Sequence, residues 1–130
     1  MTTLARPRTD HLAIARAYAA RPLTPEFDPT RRWYTRLASD ADAEVWLLSW
    51  LPGQGTDLHD HAGSAGAFVV ASGTLTERTV TAPASLVSNV LSAGTGRWFG
   101  PYHVHQVVNS SDAPAVRPVA ARNIRSTPSW

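Results

Sequence analysis

Four of the five histidines in this 130-residue sequence stand in two His-x-His pairs. The pairs are His59-Asp60-His61 and His103-Val104-His105. Alternate residues of an extended strand point to the same face, so each pair can direct two imidazoles into one cavity. Neutral imidazole is the commonest protein ligand for zinc, copper, iron and nickel. Two such pairs in a histidine-poor chain predict a metal-binding site rather than isolated surface or core histidines.

Glycines frame the first pair. Gly53 precedes it, and Gly66 and Gly73 follow it, at intervals that resemble the first signature of the cupin superfamily. In that signature a glutamate stands where this chain has Gly66. Tyr102 stands where the second cupin signature usually has a glycine. The positions that match this second signature are Gly94, Gly100, His105 and Asn109.

The sequence resembles the thiol dioxygenases more closely, and cysteine dioxygenase in particular. That family's metal-binding strand is similar to residues 50–61, Trp50-Leu51-Pro52-Gly53-Gln54-Gly55-Thr56-Asp57-Leu58-His59-Asp60-His61. Its Tyr-Thr-Arg segment matches Tyr34-Thr35-Arg36, and its His-Arg-Val-x-Asn segment resembles His105-Gln106-Val107-Val108-Asn109. The resemblance runs from about Trp33 to Val116. It implies Fe(II) as the cofactor, dioxygen as a co-substrate and a small thiol substrate, with L-cysteine oxidised to cysteine sulfinate.

The expected metal ligands are His59, His61 and His105. We prefer His105 to His103 because its spacing to Asn109 fits both family patterns. Three neutral imidazoles leave a divalent ion with its full double charge and with open positions for an anionic substrate and dioxygen. Gly66 removes the anionic glutamate that would otherwise occupy one position. Zinc would also accept three histidines and a water, and only the family resemblance favours iron.

Five residues are expected to line the substrate pocket. Arg36 is the candidate anchor for a substrate carboxylate, because a guanidinium group offers a planar fork that matches a carboxylate. The resemblance implies this role and places Tyr34 beside Arg36, so these two are the expected catalytic residues. Trp50 is expected to pack near the metal. Gly66 and His103 complete the pocket, with His103 as a polar residue of its mouth rather than a ligand.

The sequence departs from the thiol dioxygenases in its last functional element. In that family a Ser-x-His-x-Tyr strand follows Pro-Ala-Val, and its tyrosine orients substrate and oxygen. Here Pro114-Ala115-Val116 is followed by Arg117-Pro118-Val119-Ala120-Ala121, which has neither histidine nor tyrosine. Proline also removes a donor from a strand ladder, so we expect Arg117-Pro118 to interrupt strand pairing. The departure favours an altered chemistry.

The amino-acid composition limits the classes of partner that this chain is expected to bind. All twelve basic residues are arginine, and the net charge is +2. The arginines are scattered, and Arg31 and Arg32 are interpreted as surface charges, so no nucleic-acid partner is expected. The absence of cysteine rules out disulfides and suits a reducing cytoplasm. With no signal peptide or membrane-length apolar run, we expect a cytoplasmic protein without a membrane partner, as a monomer or homodimer.

The elements that position these residues are mostly short strands, which indicates an all-β barrel or sandwich. The resemblance implies the cupin double-stranded β-helix, a jelly-roll-like barrel. Residues 1–130 are expected to form one cupin domain, with an N-terminal helical segment over 1–40 and the barrel over 42–121. Thr9 or Asp10 can cap a short helix that ends near Ala20, and a second helix is expected over residues 30–39. A hairpin is expected at Ser72-Gly73. The predicted strands are Val45–Trp50, Ala67–Ala71, Thr74–Val80, Ser85–Leu91, Gly96–Phe99, His105–Asn109 and Pro114–Ala121.

Three functions remain open. The leading hypothesis is a mononuclear non-haem iron thiol dioxygenase that acts on L-cysteine. The second is a divergent cupin oxygenase that acts on another small amino-acid-like substrate. The third is a metal-binding cupin without catalysis. Oxygen uptake and product analysis with candidate thiols would discriminate among them.

Overall fold

The computed structural model describes residues 9–60, 63–82 and 84–122 of the chain. It begins with one helix, α1 (His11–Ala19), and the Asp10 side chain caps it by accepting a hydrogen bond from the Ala13 N–H at 2.9 Å. The strands that follow are β1 (Trp33–Ser39), β2 (Glu44–Trp50), β3 (Gly66–Val69), β4 (Thr74–Thr81), β5 (Ser85–Ser92), β6 (Gly96–Phe99), β7 (His105–Val108) and β8 (Ala115–Ala121).

The strands form two antiparallel sheets that are not closed into a barrel. The larger sheet has the order β1-β2-β8-β3-β6, and the smaller one has the order β5-β4-β7. This architecture confirms the all-β prediction. Strand β6 has the predicted bounds, and the other predicted strands differ from the observed ones by a few residues at their ends.

The second predicted helix, over residues 30–39, is wrong. Trp33–Ser39 is β1, which pairs with β2 in an antiparallel register that matches Tyr34 with Leu48. Tyr34 packs against the core and lies 5.9 Å from Trp46, centroid to centroid. Tertiary pairing decides the structure here, because the strand covers an edge of β2 that a helix would leave unpaired.

The predicted hairpin at Ser72-Gly73 is also wrong, because β3 and β4 belong to different sheets. Gly73 instead makes a tight crossing between the two sheets, with a φ of +77°. A Cβ atom at this position would lie 2.3 Å from the Pro114 carbonyl oxygen, so the close approach of the two backbones requires glycine.

The core lies between the two sheets, and α1 packs on the outer side of the larger sheet. The interior cluster consists of Leu48, Trp50, Phe68, Val70, Leu75, Leu91, Phe99, Val107, Ala115, Val119 and Ala121. On the other face, Ala15 of α1 packs with Val45, Val69 and Ala120. Every residue of β8 is buried, because this strand lies between β2 and β3.

The expected interruption at Pro118 is only half right. Pro118 pairs with Leu47, and the ladder between β8 and β2 continues on both sides of it. The ladder between β8 and β3 ends at the pair Phe68–Val119, so it stops one residue short of Pro118. Proline thus occupies a central strand where only one neighbour continues past it.

In the part of the chain that the structure describes, no helix has the length and apolar character needed to cross a membrane.

Candidate metal centre

His105 is the centre of the site. It begins β7, its side chain is completely buried, and its Nδ1 lies 2.8 Å from Oε2 of Glu77 on the adjacent strand β4. A neutral imidazole that donates Nδ1–H to this carboxylate presents Nε2 as its coordinating atom. Burial lowers the pKa of His105 to about 4, so the ring is neutral at physiological pH. Neutral imidazole is the form that binds metals.

His59 lies beside His105. The two backbones form an isolated bridge, in which each N–H donates to the other carbonyl at 3.0 Å. The two rings contact edge to face with centroids 4.9 Å apart. Nδ1 of His59 is 2.7 Å from the Asp57 carbonyl oxygen, which again favours Nε2 as the coordinating atom. Burial lowers the pKa of His59 as well.

His61, the third expected ligand, lies outside the described residues. The structure therefore brings together two of the three predicted histidines. It also brings in His103, whose ring centroid is 4.9 Å from that of His105.

Glu77 is a site residue that sequence reasoning missed. Ligand atoms of Glu77, His103 and His105 all lie within 4.8 Å of one another, so they form a second set of donors that could hold a metal. Burial raises the pKa of Glu77, but the hydrogen bond from His105 and the nearby positive charges outweigh it and hold the pKa below its usual value. The signal in the sequence is a glutamate on the same face of β4 as Leu75, where both are buried.

The donors fit a divalent metal. Both His59 and His105 are kept neutral by burial, and each has its Nδ1 held by an oxygen acceptor, as is usual for metal-bound histidines. Glu77 accepts a hydrogen bond of normal length from His105, and this contact orients the His105 ring. Arg97 lies 3.6 Å from the other carboxylate oxygen of Glu77.

Gly66 is buried on the interior face of β3 and cannot carry a side chain. A Cβ atom there would lie 2.6 Å from Cζ of Phe99 and 2.5 Å from the Ala120 carbonyl oxygen. Phe99 in turn packs 6.3 Å from His105, centroid to centroid. The position that holds a glutamate in the cupin signature therefore has no room for one here. Gly66 and Phe99 also line a cleft of about 930 Å³ whose lining does not include His59 or His105.

The expected substrate residues lie in different environments. Trp50 is buried in the interior cluster. Arg36 has 55% of its side chain exposed and pairs with the buried Glu44 at 3.6 Å. Tyr34 is partly buried against the same core. The structure does not show these last two residues in contact with the described histidines of the site.

Two arginines lie closer to the site than expected. Arg32, interpreted as a surface charge, is partly buried and lines a pocket of about 370 Å³ together with His59. Burial lowers its pKa. Arg117 is completely buried, and its guanidinium carbon lies over the rings of Trp50 and Phe68. No motif points to a role for Arg117, and its only signal in the sequence is an arginine in an otherwise apolar strand.

The sequence matches the family model for cysteine dioxygenase type I over residues 13–120. A search of the curated proteins gives no significant match.

The structural likenesses are to double-stranded β-helix proteins. TT1209 from Thermus thermophilus has a TM-score of 0.66 at 21% identity, covering 75% of this chain and 89% of that one. A Klebsiella pneumoniae protein with a double-stranded β-helix domain has a TM-score of 0.65 at 18% identity, covering 88% of this chain and 93% of that one. Oxalate oxidase has a TM-score of 0.63 at 18% identity, covering 74% of this chain and 53% of that one.

At these identities the solved structures show the fold alone, and they confirm the predicted double-stranded β-helix fold. The family match is stronger evidence, because it extends from α1 into β8 and includes His59, Glu77 and His105. The chain belongs to the cysteine dioxygenase type I family.

Proposed function

We propose that this protein is an iron-dependent thiol dioxygenase that oxidises L-cysteine to cysteine sulfinate with dioxygen. The observation that carries the proposal is the pair of neutral imidazoles of His59 and His105, 4.9 Å apart, each with its Nδ1 held by an oxygen acceptor. Family membership supports the reaction type. Both atoms of dioxygen are added to the sulfur, which is oxidised from thiol to sulfinic acid while dioxygen is reduced.

In this proposal His59, His61 and His105 would hold Fe(II). When bound, the ion supplies the open positions at which a thiolate and dioxygen can meet, together with the redox chemistry. The chain's own residues orient the His105 ring and shield it from water. Glu77 fixes the His105 ring, and Phe68 and Phe99 cover that ring from the interior at 6.5 and 6.3 Å. Their apolar surfaces exclude water from one side of the site.

Oxygen consumption tests the proposal. The protein is loaded anaerobically with Fe(II), mixed with L-cysteine or 3-mercaptopropionate in aerobic buffer, and the products are identified by mass spectrometry. Wild-type protein and the His11→Ala variant, which changes the one histidine outside the two pairs, should form sulfinate. The His105→Ala variant should form none. Iron binding without oxygen uptake for any small thiol would contradict the proposal.

A second candidate is an oxygenase of the same family that acts on a different small amino-acid-like substrate. Val119 and Ala121 support it, because they are buried apolar residues of β8 where the family pattern has histidine and tyrosine. The same assay separates the two candidates. Uptake with another substrate but no sulfinate from cysteine would favour the second.

A further inference from the structure

Arg117 is the most unusual side chain of the described interior. Its side chain has 0% exposure to solvent, and none of its guanidinium nitrogens has a hydrogen-bond partner among the described residues. A guanidinium group carries five N–H donors, and burial of a charge without compensation is costly. Such a group in a native fold requires an explanation, and a ligand is the simplest one.

Two aromatic rings contact the guanidinium group of Arg117. The guanidinium carbon lies over the Trp50 ring at 4.8 Å and over the Phe68 ring at 4.4 Å. Cation–π contacts of this kind stabilise the cation, but they do not satisfy its N–H donors as hydrogen bonds would. Burial lowers the pKa of Arg117 to about 9, so the group remains a cation at neutral pH.

A single aromatic ring, that of Phe68, is near both Arg117 and the metal centre. Phe68 contacts Arg117 and also packs 6.5 Å from His105, centroid to centroid. The positive charge of Arg117 contributes to the lowered pKa of His59, of His105 and of Glu77. Glu77 does not neutralise it directly, because the ion pairs of that carboxylate within the described residues are with Arg97, His103 and His105.

Arg36 offers a poorer anion site. Its side chain is 55% exposed, and its guanidinium group already pairs with Glu44 at 3.6 Å. Solvent weakens any further ion pair there, whereas a buried fork with unused donors binds a carboxylate in a low-dielectric environment.

We propose that Arg117, rather than Arg36, binds the carboxylate of the small-molecule substrate. The inference rests on the proposed function for the thiol half of that substrate, but the anion site itself does not depend on it. The substrate class is therefore a short thiol that carries a carboxylate, with the two groups spanning the distance between the metal centre and Arg117.

Binding of three probes tests the proposal. Propionate has the carboxylate alone, cysteamine has the thiol without a carboxylate, and 3-mercaptopropionate has both. Propionate binding is measured by calorimetry on metal-free protein, and the two thiols are titrated anaerobically into the Fe(II) protein. The Arg117→Met variant should bind propionate and 3-mercaptopropionate roughly 10- to 100-fold more weakly, with cysteamine affinity unchanged. The matched control is Arg78→Met, since Arg78 hydrogen-bonds Gln106 away from the interior cluster.

Several outcomes would overturn the proposal. They are unchanged propionate affinity in Arg117→Met, no propionate binding to the wild-type protein at millimolar concentration, and a loss confined to Arg36→Met. If Arg117→Met does not fold, the Arg117→Lys variant keeps the charge but loses the fork, and it should show a smaller loss for both carboxylate probes. Equal affinity of the lysine variant and the wild type would then count against the carboxylate fork.

Failure of the dioxygenase proposal is distinguishable from failure of this one. Propionate binding needs no metal, thiol or oxygen. Loss of propionate binding in Arg117→Met, in a protein that forms no sulfinate, would leave the anion site standing without the dioxygenase. Normal sulfinate formation with an unchanged KM in Arg117→Met would support the dioxygenase proposal and contradict the role of Arg117 in carboxylate binding.

Discussion

At the scale of single residues, the contact between Glu77 and His105 is the firmest part of the site. A buried carboxylate 2.8 Å from Nδ1 fixes both the tautomer and the orientation of the ring. We predict that Glu77→Gln, which keeps an acceptor but loses the charge, weakens divalent metal binding about 10- to 100-fold. A competition titration with a chromophoric chelator measures this affinity. Glu26→Gln, at an exposed acid, is the control, and equal affinities in the two variants would contradict the role of Glu77.

The two possible donor sets share His105, and each contains a histidine that the other lacks, His59 in one and His103 in the other. A metal that binds only the folded state at 100 times its dissociation constant stabilises that state by about 2.7 kcal/mol. If His59 is a ligand and His103 is not, added Co(II) should raise the Tm of His103→Ala as much as that of the wild type. The shift should nearly vanish in His59→Ala. Thermal scans with and without Co(II) measure both, and the opposite pattern would assign the site to Glu77, His103 and His105.

The residues of the site differ in how far the sequence alone could identify them. The histidines are recognisable by type and spacing, and in the structure the rings of His59 and His105 lie 4.9 Å apart, centroid to centroid. Glu77 and Arg117 belong to no motif that marks them as site residues. Their importance depends on which face of a strand points inward and which strands become neighbours, and both are set by tertiary packing.

At the scale of elements, β3 is fitted closely to its neighbours at Gly66. We predict that Gly66→Ala destabilises the fold by about 1–3 kcal/mol, because the new methyl group would overlap Phe99 and the backbone of β8. Gly100→Ala is the matched control, since no atom lies within 4 Å of a Cβ built there. Chemical denaturation of both variants measures the difference. Equal stability would mean that β3 and β8 can separate without cost.

The same scale shows where local sequence signals mislead. Strong β formers and regular spacing locate seven of the strands, because a strand's apolar face is visible in the sequence. Local signals for helix starts and turns also predict a helix where β1 lies and a hairpin at Ser72-Gly73. Both errors concern which strands become neighbours, not the local preference of the residues for helix or strand. The sequence does not state that β1 must cover the edge of β2, or that β3 and β4 lie in different sheets.

At the scale of the whole molecule, the buried charge of Arg117 acts against the stability of the fold. Small domains are stable by only about 5–15 kcal/mol, so one uncompensated charge is a substantial burden. Sites that bind ligands often retain such strained or unsatisfied groups at the expense of stability. The central strand β8 would be an ordinary apolar strand if residue 117 were apolar, since all its other residues are buried without charge.

We therefore predict that Arg117→Met stabilises the ligand-free protein, by about 1–4 kcal/mol, while it weakens carboxylate binding. Methionine fills a similar volume beside Trp50 and Phe68 and carries no charge to desolvate. A gain of this size raises Tm by at least a few degrees in a domain of this length. Calorimetry of the two proteins without metal or ligand measures it. A lower Tm for Arg117→Met would mean that the cation stabilises the interior through its two aromatic contacts, and the burial of Arg117 would then need no ligand to account for it.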